Sequence, residues 1–222
     1  MNTLTLTDPH ELIEIWTPDG QPTGQGARRG DVHLQGLWHQ AFFCWVARPG
    51  NREVEILLQH RSDSKDAFPG YFNCSAAGHV RLGESMHAAA RELREELGIP
   101  DQLEDLVPFG THRQEHLHAS GLIDREYHVL HLLARRIDDS ELHPDPREVQ
   151  GLAWVPGSVL LDLAEGRRTD SNVAYLSVSA TGRVTSSRRR LYASEIVPYD
   201  GRYHRRIVDL ATSTLRERGL LS

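Results

Sequence analysis

The sequence predicts a single α/β domain, and three observations point there. Strand-like and helical segments are mixed along the chain without an obvious internal repeat. A glycine-bearing loop runs directly into a short helix crowded with acids, Gly78 to Ile99, "GHVRLGESMHAAARELREELGI". The length of 222 residues and a hydrophobic content of 39% allow one well-buried core with decoration. A formal net charge of −6 argues against a general nucleic-acid binder. Cys44 and Cys74 are the only cysteines, too few for a disulfide scaffold, which favours a reducing compartment. The start "MNTLTLTDPHELIEIW" has neither a basic opening nor a long apolar run, and no stretch reaches the roughly 18 apolar residues of a membrane helix. A soluble, cytoplasmic protein with no membrane partner is expected.

The elements follow in order. "ELIEIWTPDGQPTG" reads as a strand entering a turn at Pro18-Asp19-Gly20 with a short strand after it, giving an N-terminal hairpin over about 10–30. "HQAFFCWVARPGNREVEILLQHR" reads as two strands around Pro49-Gly50-Asn51. "SDSKDAFPGYF" is a loop punctuated by Pro69 and Gly70, and Asn73 to Ala77 is extended. The acidic helix comes next. "EYHVLHLLARRI" and "EVQGLAWVP" are strand-like, "GSVLLDLAEG" is a short helix, and "YHRRIVDLATSTLRERGL" is a longer terminal one. Between those helices a hairpin turning at Thr181-Gly182 is expected, so that a core of about 33–165 carries a C-terminal hairpin and helix over 166–222.

In the acidic helix Met86, Ala89, Ala90, Leu93 and Leu97 form one apolar stripe, and Glu92, Glu95 and Glu96 share the neighbouring one. Acids on one face repel by a few tenths of a kcal/mol per pair, so they are best tolerated where cations sit opposite. The ordered context is more specific than the charge: Gly78, then Gly83-Glu84, then Arg91-Glu92-Leu93 and Glu95-Glu96-Leu97-Gly98-Ile99.

That order resembles the signature of the Nudix hydrolases, and the match from Arg91 to Ile99 is complete. One departure stands out. The family pattern has seven residues between the loop glutamate and the helix arginine, whereas Ser85 to Ala90 supply six, so the helix must start differently. The resemblance implies a Nudix fold, a mixed β-sheet sandwiched between helices, here with an N-terminal hairpin and a C-terminal helical extension. It implies Mg²⁺ or Mn²⁺ held by Glu92, Glu95, Glu96 and the Ala77 carbonyl, with Arg91 orienting the acids. Hard divalent cations suit carboxylate oxygens and offset the charge that shields a diphosphate from water. Glu148 lies where many family members place a further metal-binding or base-like glutamate.

Residues 10 to 165 resemble, more particularly, type I isopentenyl-diphosphate isomerases and their Nudix relatives. The isomerase metal ligands match His33, His39, His79, Asp124 and Glu126, a donor set suited to a transition metal. Asp124 and Glu126 are two apart and share a strand face. The isomerase cysteine matches Ala77, however, and a methyl group moves no protons. Cys74, three residues earlier, is expected on the opposite face as a small buried hydrophobe. Arg61 and Lys65 match the positions that grip a diphosphate.

Two further groups of residues are weighed against plainer readings. Arg188, Arg189 and Arg190 read as a solvated turn, with a cover for a dianionic ligand or a contact to a second subunit of a homodimer as alternatives. Trp38, Trp45, Phe68 and Phe72 read as core. The expected function is metal-dependent hydrolysis of a small-molecule diphosphate, with an isomerase and a non-catalytic ligand sensor as rivals.

Overall fold

The computed structural model describes residues 11–100, 103–199 and 202–222. Residues 1–10, 101–102 and 200–201, over which the expected N-terminal and C-terminal segments extend, lie outside this description.

Period-two burial on both faces makes a sheet that needs cover on both sides. Strand β3 (His39–Pro49) shows it most clearly: Ala41, Phe43, Trp45 and Ala47 enter one apolar cluster, while Phe42, Cys44 and Val46 enter the other. Strand β4 (Val54–Arg61) alternates in the same way, with Ile56 and Leu58 opposed by Leu57. The first cluster is closed by α4 (Gly157–Ala164) and α5 (Tyr203–Glu217), through Leu160, Ile207, Ala211 and Leu215. The second is closed by α2 (Met86–Ala89) and α3 (Arg91–Leu97), through Ala89, Leu93 and Leu97. The result is a helix–sheet–helix sandwich, as expected.

The sheet is mixed. Strand β3 runs parallel to β8 (Ile123–Ala134) along one edge. Its other edge is shared, with β6 (Ala76–His79) pairing at Ala41–Cys44 and β4 at Val46–Pro49. At the changeover the Ser75 hydroxyl accepts from Val46 N at 2.7 Å and donates to Leu57 O at 2.6 Å, which satisfies both strands where the ladder is interrupted. Beyond β4 come β9 (Val149–Pro156), β10 (Asp170–Val178) and β11 (Val184–Tyr192). Among the described residues, the N-terminal hairpin of β1 (Leu12–Trp16) and β2 (Pro22–Arg28) pairs with β3 only at Ile15–His39. Strand β5 (Phe72–Asn73) pairs with the end of β4.

Three expectations are corrected, and two elements are added. The helix after Gly78 is two helices, because Ala90 (φ −63°, ψ −8°) makes a tighter step in which Leu93 N bonds to Ala90 O. That break takes up the missing residue, and Glu84 still reaches Arg91, with Nε to Oε1 at 3.2 Å. Two elements had no sequence signal: α1 (Arg29–Gln35) and β7 (Leu106–Leu117), which forms a long hairpin with β8. The three arginines lie within strand β11, not in a turn. Arg189 is tucked against Phe72 and Glu195, Arg188 donates to Asn172 O, and Arg190 faces Asp170. Finally, Trp38, Trp45 and Phe72 are buried as expected, but Phe68 lines a cavity. No described helix is long and apolar enough to cross a membrane.

Candidate active site

One cavity of about 410 Å³ opens between the acidic helix, the loop after β4 and the β7–β8 hairpin. Its geometry begins with two glycines. At Gly78 a Cβ would collide with the Glu92 side chain, so only glycine lets that carboxylate lie against β6. Gly98 ends α3 in the left-handed region (φ 72°) and leaves room for His143.

The three helix acids are not equivalent. Glu96 is 3% exposed and fully engaged: its Oε2 accepts from Gln59 Nε2 at 2.9 Å and Ala77 N at 3.0 Å, and its Oε1 lies 3.4 Å from Lys65 Nζ. Burial, then the nearby Glu96 charge, pushes the Glu92 carboxyl up to about 8. Glu95 is the exposed member, with its side chain 47% accessible at the cavity mouth. Arg91 binds the group together, pairing with Glu84 and Glu92 and lying 3.8 Å from Glu11 and 3.9 Å from Glu95. Lys65 sits between Glu96 and Glu148, ion-paired to both; burial lowers its pKa, which Glu96 and Glu92 only partly offset. Arg61 lines the same wall, its Nε donating to Ala67 O.

Across the cavity His33, His39, His79 and Glu126 bring ligand atoms within 4.8 Å of one another. The three rings are equally spaced, with centroids 5.0–5.2 Å apart. Backbone carbonyls fix two tautomers: His33 Nδ1–H donates to Arg29 O and His39 Nδ1–H to Leu37 O, each at 2.9 Å. The Nε2 lone pairs therefore point inward. His39 Nε2 faces Glu126 Oε1 at 3.3 Å and His33 Nε2 faces Asp124 Oδ1 at 3.4 Å, yet neither His39 Nε2 nor Asp124 Oδ1 has a hydrogen-bond partner of good geometry among the described residues. Lone pairs facing carboxylate oxygens in a buried space fit a cation between them. Asp124 stands at the edge of this group, bonded by its other oxygen to His118.

Charge follows the same plan. Burial pushes the His33 imidazole down to about 4, helped by the facing His79 and His39. For His79 burial acts downward, but Glu11 and Glu126 outweigh it and raise the pKa. Burial alone would raise Glu126; the His128 hydrogen bond and the facing imidazoles hold it well below the usual range.

Four site residues carried no sequence signal: Glu11, Gln59, His118 and His128. Glu11 joins the halves, with its Oε2 3.6 Å from His79 Nδ1 and its Oε1 on Arg81 at 2.9 Å, and is held down to about 2 by these partners against the effect of burial. Cys74 and Ala77 also differ from expectation, since both pack on the first core cluster. The chain leaves the strands at Cys74-Ser75, so residue parity does not carry across. Cys74 remains a buried thiol, its Sγ donating to Ala76 O at 3.5 Å and its pKa raised by burial, and it does not line the cavity.

The two-faced mixed-sheet sandwich that carries this acidic helix is a class of fold that the comparisons also find. The model of the NUDIX domain family matches residues 37–174, more than half of the sequence, and the chain belongs to this family. It is 28% identical over 195 residues to an uncharacterised Nudix hydrolase of Clostridium acetobutylicum, covering 88% of this chain and 94% of that one. Identity is 34% over 145 residues with an isopentenyl-diphosphate Delta-isomerase of Halorhodospira halophila, covering 65% and 79%. The crystal structure of DR0079 from Deinococcus radiodurans shares the fold, with a TM-score of 0.53 at 18% identity over 68% of this chain and 86% of that one.

Proposed function

We propose that the protein hydrolyses a diphosphate linkage in a small molecule with the help of divalent cations. The observation that carries this reading is the crowding of Glu92 against buried Glu96, with Arg61 and Lys65 on the same cavity wall. A carboxyl raised by burial and by its neighbour's charge, despite the Arg91 ion pair, fits Mg²⁺ or Mn²⁺, which Glu92, Glu95, Glu96 and the Ala77 carbonyl would hold. His33, His39, His79 and Glu126, with Asp124 beside them, would hold a second, transition metal. Bound cations supply neutralisation of the diphosphate charge.

The remaining work falls to side chains of this chain. Arg61 and Lys65 bind phosphate oxygens, Lys65 leaving its acids to do so. Arg91 orients the acids. Water attacks phosphorus, Glu95, Glu96 or Glu148 takes its proton, and the bridging P–O bond breaks to release phosphate or a phosphomonoester. Glu95 and Glu148 are the more accessible bases.

An isomerase reading is disfavoured by the Ala77 methyl and by the withdrawal of Cys74 from the cavity. A screen for phosphate release over nucleoside, isoprenoid, sugar and coenzyme diphosphates, with Mg²⁺ or Mn²⁺, tests the proposal. Release from at least one class is expected. Tight binding without turnover in either metal would replace hydrolysis by ligand sensing.

A further inference from the structure

Asp124 and Glu126 repeat one two-sided arrangement. The inner oxygen of each faces the imidazole cluster: Asp124 Oδ1 lies 3.4 Å from His33 Nε2, and Glu126 Oε1 lies 3.3 and 3.5 Å from His39 and His79 Nε2. The outer oxygen of each is held by a histidine outside the cluster. His118 Nε2–H donates to Asp124 Oδ2 at 2.7 Å, and His128 Nε2–H donates to Glu126 Oε2 at 2.7 Å.

We propose that His118 and His128 are positioning residues that turn the inner oxygens of these carboxylates into the cluster and so set its affinity for a divalent transition cation. Neither offers its Nε2 to the cluster, because that atom is committed to a carboxylate. Both rings are fixed by other contacts. His128 is 2% exposed and stacks on Phe43, with centroids 3.7 Å apart and planes at 14°. Glu126 and His128 are two apart on β8, so they project from the same strand face. His118 N bonds to Leu122 O at 2.9 Å, closing the β7–β8 turn, and the His118 ring packs on His116 and Phe68. A carboxylate pinned by one oxygen presents the other in a single orientation, and loses less freedom when a cation arrives. Without the outer hydrogen bond a buried oxygen is left unpaired and the side chain turns to seek a partner.

The inference rests on the metal reading of the cluster, and the test separates the two. The full chain is dialysed against chelator and titrated with Co²⁺, following the visible absorption of the bound ion. His118→Ala and His128→Ala are expected to weaken binding about 10- to 100-fold, the usual effect of losing an outer partner. At saturation their band shape should match wild type, because the ligands are unchanged. His118→Gln and His128→Gln keep an N–H donor and should recover most of the affinity. Alanine variants that bind as tightly as wild type overturn this inference alone, and so does an altered band at saturation, which would make the histidine a ligand. If His128→Ala fails to fold for want of its Phe43 stack, His118→Ala still decides, with His118→Gln as its control. A wild-type chain that binds no Co²⁺ overturns the metal reading and this inference with it.

Discussion

Gly78→Ala separates the fold from the site. A Cβ at residue 78 meets the Glu92 Cδ, Oε1 and Cγ atoms, the farthest of them at 2.7 Å, where real Cβ contacts do not fall below 3.0 Å. Glu92 must therefore withdraw by about 1 Å, the scale of displacement that costs roughly 100-fold in rate when a catalytic group is misplaced. The fold itself loses little. The obstruction is the end of a flexible side chain, and alanine in a strand interior carries less entropic cost than glycine, by about 0.5–1 kcal/mol. Thermal unfolding should thus sit near wild type, while metal-dependent phosphate release falls roughly 100-fold. The assay is kcat with saturating Mg²⁺ or Mn²⁺ beside a melting curve on the same preparation. Wild-type turnover in a normally folded Gly78→Ala protein would refute the placing of Glu92 in the catalytic group.

Two further outcomes are expected. His60 accepts at Nδ1 from Tyr175 Oη and Arg189 Nη1, and burial, then the Arg189 charge, pushes it down to about 4 from 6.5. A depressed histidine favours the neutral folded state, so its contribution is complete above pH 6.5 and is lost as pH falls toward 4. The loss is on the order of 2–3 kcal/mol, and denaturant titrations across that window should show wild type falling by that much more than His60→Gln, the fall from His33 being common to both. Separately, isopentenyl and dimethylallyl diphosphate should not interconvert with any metal supplied, because Ala77 has no proton to move; deuterium appearing in the recovered substrate would restore the isomerase reading.

The fold was legible wherever burial has a period. Strands β3 and β4 alternate between two cores, and the apolar stripe of the acidic helices is set by Ala89, Leu93 and Leu97. Strand β7 was not legible because its residues face cavity and solvent: "THRQEHL" is polar at nearly every position and only partly buried. Helix α1 is seven residues long and buries only Val32 and His33, so half of its inward face is a polar letter. The acids of the site were read from their spacing and the histidine cluster from family resemblance. Glu11, His118 and His128 escaped because their roles depend on partners that only the folded sheet supplies, Glu11 facing His79 from a hairpin 68 positions away in sequence. Parity misled at Cys74, where a kink between β5 and β6 resets the alternation. Arg189 shows the same dependence on context, since only its pairing inside β11 separates it from its two exposed neighbours.

The most direct test is hydrolysis in water enriched in oxygen-18, with wild type and Glu96→Gln run side by side on a panel of diphosphates. Glu96 touches Gln59, Ala77 and Lys65, and the substitution keeps its size while removing the charge. The account predicts that wild type, only when Mg²⁺ or Mn²⁺ is present, releases a phosphate or phosphomonoester carrying one solvent oxygen, and that Glu96→Gln is slower by roughly 100-fold or more. Equal rates for the two proteins, or substrate consumed with no solvent oxygen on phosphorus, would contradict it.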